Sequence, residues 1–141
     1  MLVLDTNILI RAVLGRKVLS LLPRYGPSVD LAAPDFAYDE AHKRLPPLLH
    51  KRRLDEVTGM AVLTLLAPLV DRLESELYLP FETEARARLR DQKDWPILAS
   101  ALALECGLWT EDLDFFGTGI ATWDCVHVER YLAAAAPSSD T

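Results

Sequence analysis

Cysteine is scarce in this chain: Cys106 and Cys125 are the only two in 141 residues. They lie too far apart for a zinc-knuckle pair, and nothing in their spacing suggests a secreted disulfide scaffold, so two buried free thiols are expected. Long hydrophobic runs are missing as well. The greasiest stretch, residues 60–70, falls far short of a membrane span. The N-terminus lacks the basic start, extended apolar segment and cleavage site of a signal peptide, so a cytoplasmic protein with no membrane attachment is expected. Histidine offers no spaced ligand set either; His42, His50 and His127 read as structural or surface residues. Finally, there is no basic excess. Lysine and arginine number 15 against 21 acidic residues, a net charge of -6, which argues against a protein that simply coats nucleic acid. It does not exclude an acidic centre rimmed by a local basic surface.

What is present is hydrophobic substance, 50% of the residues, enough for one folded domain over residues 1–136, with 137–141 as a flexible tail. Leu2-Val3-Leu4-Asp5 reads as a buried first strand. Helices are expected over Ile8–Val13 and Lys17–Tyr25, the second broken by Gly26-Pro27. Leu31–Ala33 reads as a second strand, followed by a helix from Phe36 to Leu45 that Pro46-Pro47 should end. Arg53–Leu73 reads as helix with a break or restart at Pro68, and Leu77–Pro80 as a third short strand or an extended entry. A charged helix follows over Thr83–Leu89. Another begins at Asp94-Trp95-Pro96, where proline suits the first turn, and is well buried through Ile97, Leu98, Ala101, Leu102 and Leu104 until Gly107 ends it. Leu108–Thr110 and Ala121–Trp123 supply strands four and five. Short apolar strands alternating with helices imply an α/β fold, a parallel sheet covered on both faces.

In such a sheet, ligands gather at the carboxyl ends of the strands. Asp5 ends the first strand, Asp112 and Asp114 follow the fourth, and Asp94 opens the helix before it. Glu40, one turn into the helix after strand two, reaches toward the same edge. Three to five carboxylates without cysteine or paired histidine suit Mg2+, with Mn2+ as the other hard candidate. Without a cation the group repels itself. With one, the chemistry available is phosphodiester hydrolysis: a bound water made more acidic and a transition state whose charge is neutralised.

The same residues carry a likeness. Leu4-Asp5-Thr6-Asn7, Glu40 within Ala33–Glu40, the Asp94-Trp95-Pro96-Ile97-Leu98-Ala99 helix and the Trp109-Thr110-Glu111-Asp112-Leu113-Asp114-Phe115-Phe116-Gly117 loop occur in order. Together they resemble the PIN-domain nucleases, and among them the VapC-like toxin ribonucleases of the compact Asp-Trp-Pro branch. The resemblance runs from Asp5 through Trp123. It implies a three-layer α/β/α domain with a central, mostly parallel, short-stranded sheet. It also implies that Asp5, Glu40, Asp94 and Asp112 are catalytic metal ligands, with Asp114 an additional ligand or a neighbour to one. Asn7 takes a supporting role, and Thr110 that of a hydroxyl orienting a water or carboxylate. The implied activity is a Mg2+-dependent endoribonuclease, the toxin of a type II toxin-antitoxin module, with an RNA substrate, a small antitoxin protein and a homodimer as candidate partners. A noncatalytic binding or regulatory module, a nuclease acting on DNA, and a Mg2+-dependent phosphatase are the competing readings.

Blander roles compete for several residues. Asp35 reads as a helix cap. Asp39 points about 100 degrees from Glu40 on the helix, and Asp91 competes with Asp94. Trp109, Trp123, Phe115 and Phe116 read as core or loop anchors. Of three basic clusters, Arg86, Arg88 and Arg90 suit helix salt bridges. Arg11, Arg16 and Lys17, and Lys43, Arg44, Lys51, Arg52 and Arg53, are the candidates for phosphate contacts. The apolar segment Leu54–Leu79 suits the core, a dimer face or an antitoxin groove.

Overall fold

Leu2, Val3 and Leu4 have no exposed surface, which only a central strand covered on both faces achieves. In the computed structural model, which describes residues 1–137, they form β1 (Leu2–Leu4) at the middle of a five-stranded sheet. The expected tail from residue 137 onward lies, from 138, outside the described residues. The other strands are β2 (Leu31–Pro34), β3 (Asp71–Leu73), β4 (Gly107–Trp109) and β5 (Thr122–Trp123), in the spatial order β3-β2-β1-β4-β5. Every neighbouring pair is parallel, so the sheet is wholly rather than mostly so.

Eight α-helices connect and cover the described strands: α1 (Thr6–Leu14), α2 (Lys17–Tyr25), α3 (Asp35–Lys51), α4 (Glu56–Leu65), α5 (Ser75–Tyr78), α6 (Glu82–Arg88), α7 (Trp95–Leu104) and α8 (Val128–Ala135). The helices α1–α4 pack on one another as the chain steps from β1 to β3, and α5–α7 pack together as it returns to β4. The direction of travel therefore reverses between β1 and β4, the place where a doubly wound sheet opens a crevice at its carboxyl edge. The helix α8 returns to α2, where Glu129 accepts from Arg24 at 3.1 Å and from Tyr25 at 3.3 Å.

Four expectations about elements are corrected. The third strand is Asp71–Leu73, not Leu77–Pro80. It is an exposed edge without an apolar run, and it exists because β2 offers it a parallel ladder, Ala32 opposite Asp71 through Pro34 opposite Leu73. Residues 77–80 instead close α5 and enter a 3-10 turn, Leu79–Phe81, with Tyr78 inward and Leu77 and Leu79 exposed. The helix expected over Arg53–Leu73 is α4 alone; it starts after Asp55, whose side chain accepts from the Thr58 amide at 2.9 Å.

The Pro46-Pro47 pair does not end α3. Proline leaves the carbonyls of His42 and Lys43 without helical donors, but both residues are on the exposed side of the helix, where solvent is accessible, while Leu45 and Leu49 stay buried on the inner side. Likewise α7 ends before Gly107, through a left-handed Glu105 at φ 52. Gly107 opens β4 instead, where a Cβ would stand 2.9 Å from the Ala121 carbonyl oxygen. Gly107→Ala is therefore expected to pry β4 from β5 and destabilise the domain by roughly 1–3 kcal/mol, read as a lower urea midpoint with an unchanged slope.

Candidate active site

The register of the sheet builds the centre of the site. Leu4 lies opposite Trp109, so the next residue of each strand, Asp5 and Thr110, emerges side by side at the carboxyl edge. The Asp5 amide donates to the Trp109 carbonyl at 3.2 Å and the Thr110 amide to that of Trp123 at 3.0 Å, continuing the ladder one step past the strands. Asp5 also caps α1: one carboxylate oxygen accepts from the Ile8 amide at 3.1 Å, while the other accepts from the Thr110 hydroxyl. Those two bonds leave about half of the carboxylate's lone-pair sites free. Thr110 then accepts from the Asp112 amide at 2.9 Å, and Asp112 from the Asp114 amide at 2.9 Å. A chain of short bonds thus ties the acidic loop to the first strand.

Asp94 comes from the second group of helices, at the cap position of α7, and shares with Asp5, Thr6, Asn7, Arg44 and Ile97 a small hollow of about 30 Å³. The charges acting on Asp94 are those of Asp112, Asp91, Glu40 and Arg44. Asp94 is therefore the hub of the acidic candidates: its charge acts on Asp5, and the charges of Glu40 and Asp112 act on it. Asp114 sits in the 3-10 turn Leu113–Phe115 and is not among the charges acting on Asp5 or Asp94. Asp39 turns outward to Arg72, at 3.4 Å.

Residues 3–133 match the PIN domain. The chain belongs to the PIN-domain family. A chain of a toxin-antitoxin complex from Klebsiella pneumoniae shares the fold with a TM-score of 0.58 and 23% identity, over 83% of this chain and 92% of that one. No curated protein matches the sequence.

The electrostatics of this PIN domain are those of a centre short of positive charge. Burial pushes the Asp5 carboxyl up to about 6; hydrogen bonds from Thr110 and Ile8 pull it back, and the charge of Asp94 pushes it further. Asp94 is raised too, first by burial and then by Asp112, Asp91 and Glu40, with Arg44 opposing. The donor set facing the hollow is oxygen only, which fits a hard divalent cation. Among the described residues no three acidic, histidine or cysteine side chains converge closely enough to cage an ion by themselves. Such an open shelf of acids suits Mg2+, which keeps several waters and takes few protein ligands.

Arg44 is the residue whose place the sequence left open. It was one cation in a basic cluster, yet it alone of that cluster lines the acidic hollow, four residues and one helical turn after Glu40. Asp35 differs slightly from expectation: Pro34 holds the cap position, and Asp35 accepts from the Phe36 amide at 2.7 Å and from the Tyr78 hydroxyl. Trp109 and Phe115 are core, whereas Phe116 is largely exposed. His42, His50 and His127 are all exposed, and Cys106 and Cys125 are free thiols. No described helix is long and apolar enough to cross a membrane.

Proposed function

We propose that this PIN domain is a Mg2+-dependent endoribonuclease, with Mn2+ able to substitute, that hydrolyses RNA phosphodiester bonds in the cytoplasm. We further propose that it is the toxin of a two-gene module, restrained by a small antitoxin protein and working as a homodimer. The observation that carries the reading is Asp5: a buried carboxylate with a pKa pushed up to about 6, fixed by two hydrogen bonds beside a second raised carboxyl. Holding acids in that arrangement costs folding energy, and a cation with a phosphate substrate offsets it. The likeness to a chain of a toxin-antitoxin complex supports the antitoxin partner.

Asp5, Glu40, Asp94 and Asp112 are the residues that would hold the ion, in part through its waters because no three of them cage it directly, with Asp114 as a further candidate. When bound, Mg2+ supplies Lewis-acid polarisation of the phosphoryl group and makes a water acidic enough to attack at neutral pH. The protein's part is orientation. Asp5 is locked by Ile8 and Thr110, so its remaining lone pairs keep one direction. Arg44 brings a permanent, forked cation to the rim of the acids, suited to a non-bridging phosphate oxygen.

Incubating the protein with total RNA and matched DNA, in Mg2+, Mn2+ or chelator, and mapping the cut ends tests the proposal. RNA cleavage is expected in either metal and none in chelator. Asp94→Asn should lower the rate by on the order of 10²–10³-fold, the scale for losing one preorganised charge-stabilising group. Intact RNA and DNA in the presence of metal would refute the nuclease; DNA cut in preference to RNA would refute the ribonuclease.

A further inference from the structure

We infer that a single-stranded polynucleotide leaves the acidic hollow on one side only, through the α1–α3 groove past Arg11 and Arg52 toward Arg16 and Lys17. This rests on the nuclease reading above and adds the direction the substrate takes. Asn7 is a wall of the acidic hollow and also of a groove of about 500 Å³ that Arg11, Arg52 and Gly15 line further along. Arg11 and Gly15 in turn border a hollow of about 150 Å³ with Arg16 and Lys17. Shared walls place the three spaces next to one another along α1. From Asn7 to Gly15 they follow α1 for about 12 Å, the rise of three or four stacked nucleotides at ~3.4 Å each.

The lining of these spaces has the chemistry of a single strand. Ile10, Leu14 and Leu48 give an aliphatic floor for base faces, and the arginines stand beside it for phosphates. Among the described residues, Arg11, Arg16, Lys17, Arg44 and Arg52 form no ion pair. The acid in the groove, Glu111, has an oxygen accepting from the Cys125 amide at 2.5 Å. On the α6 side Arg86 is taken by Glu82 at 2.8 Å and Arg88 by Glu84 at 2.5 Å, while Arg90 and Lys93, which form no ion pair among the described residues, line none of the three spaces. In a chain of net charge -6, a polyanion finds unpaired positive charge where the acidic hollow opens onto α1.

The test uses the full chain carrying Asp94→Asn, with and without Arg11→Ala plus Arg52→Ala, and a fluorescent twelve-nucleotide single strand as RNA and as DNA. Anisotropy titrations across salt concentrations should show the double substitution weakening binding by about tenfold or more at 0.1 M salt. The slope of log affinity against log salt should fall by roughly 1.4, near 0.7 for each phosphate that is no longer neutralised. Arg86→Ala plus Arg88→Ala should change affinity by less than about twofold, since exposed pairs contribute little. With active protein, trimming the oligonucleotide from one end should abolish cleavage several nucleotides sooner than trimming from the other. Unchanged affinity and slope in the Arg11 and Arg52 variant, or symmetric trimming, overturns the path while leaving the nuclease intact. A parent protein that neither binds nor cuts any strand overturns both. A dimer that the double substitution dissociates, with strand affinity unchanged, assigns the groove to a second copy and overturns the path.

Discussion

Asp5→Asn is expected to abolish cleavage and, in chelator at pH 7, to raise the melting temperature. The two effects share one cause. In the folded protein the Asp5 carboxyl titrates near 6 rather than at 3.8, because it is buried and faces Asp94. A group whose folded pKa is raised contributes stability below its unfolded pKa and loses that stability as pH rises through the folded value. Ionising Asp5 between about pH 4 and 6 therefore costs the metal-free fold on the order of 2–3 kcal/mol by neutral pH. Asparagine keeps an oxygen for the Ile8 amide and carries no charge, so it escapes that cost, but its amide nitrogen cannot accept from the Thr110 hydroxyl, and the lost bond offsets about 1 kcal/mol of the gain. The net gain corresponds to a shift on the order of 3–6 °C for a domain of this size. Acidifying wild-type protein from pH 7 to 5 in chelator should recover much of the same gain, and the variant should respond less. Added Mg2+ should narrow the gap by stabilising the wild type through binding. A variant that melts below wild type at pH 7 in chelator would mean that the hydrogen bonds at Asp5 outweigh its charge.

The site was legible in the sequence because it sits where chain direction and chemistry coincide. Asp5 and Asp112 follow short apolar strands, and the parallel register turns that sequence position into a shared edge. Asp94 was legible through the proline that opens α7 and the apolar run behind it. What escaped was whatever depends on partners distant in sequence. Asp71–Leu73 has no apolar alternation and becomes a strand only because β2 is beside it. Pro46-Pro47 looked like a stop, yet a helix anchored by Leu45 and Leu49 and wet on its outer side passes through it. Arg44 was one of five basic residues within eleven positions, and nothing local distinguishes it from Lys43. Only the packing of α3 against α1 and α7 turns its face toward Asp94. The helix α8 was not assigned from the sequence although its amphipathic pattern is there to read, with Val128 and Leu132 buried one turn apart on the same face.

The basic clusters separate for a related reason. The sequence already assigns Arg86 and Arg88 to helix salt bridges and the other two clusters to phosphate contacts, and the structure shows the ion pairs that support the first assignment. Arg86 and Arg88 find glutamates one helical turn earlier, the arrangement that the i to i+4 spacing of Glu82 and Glu84 already encodes. Arg11 and Arg52 lack an acid at that spacing on the N-terminal side, and the fold brings them none that pairs among the described residues. Unspent cations beside an over-full set of acids are the division of labour that the proposed metal-dependent nuclease requires, one part for a metal and the other for the chain of phosphates it would act on.

Thr110→Val should be nearly as damaging as loss of an acid, although threonine offers no charge. Its side chain is fully buried, donates to Asp5 and accepts from the Asp112 amide at 2.9 Å, so one hydroxyl joins the ends of β1 and β4. Valine fills the same volume and leaves both neighbours unpaired. That costs roughly 1–3 kcal/mol in stability, and misplacing the carboxylates lowers kcat/KM by about 10–100-fold, the usual scale for a residue that orients a ligand. The Thr110 bond also holds the Asp5 pKa down, so removing it raises that pKa further and the acidic limb of the pH-rate profile should move to higher pH. Thr110→Ser retains donor and acceptor and should restore both rate and profile. A double-mutant cycle of Thr110→Val and Asp5→Asn, read as stability in chelator, should show a coupling of about 0.5–3 kcal/mol between groups in direct contact. If valine lowers stability but leaves the acidic limb where it was, Thr110 is a packing residue, and the orientation of Asp5 comes from the Ile8 amide alone.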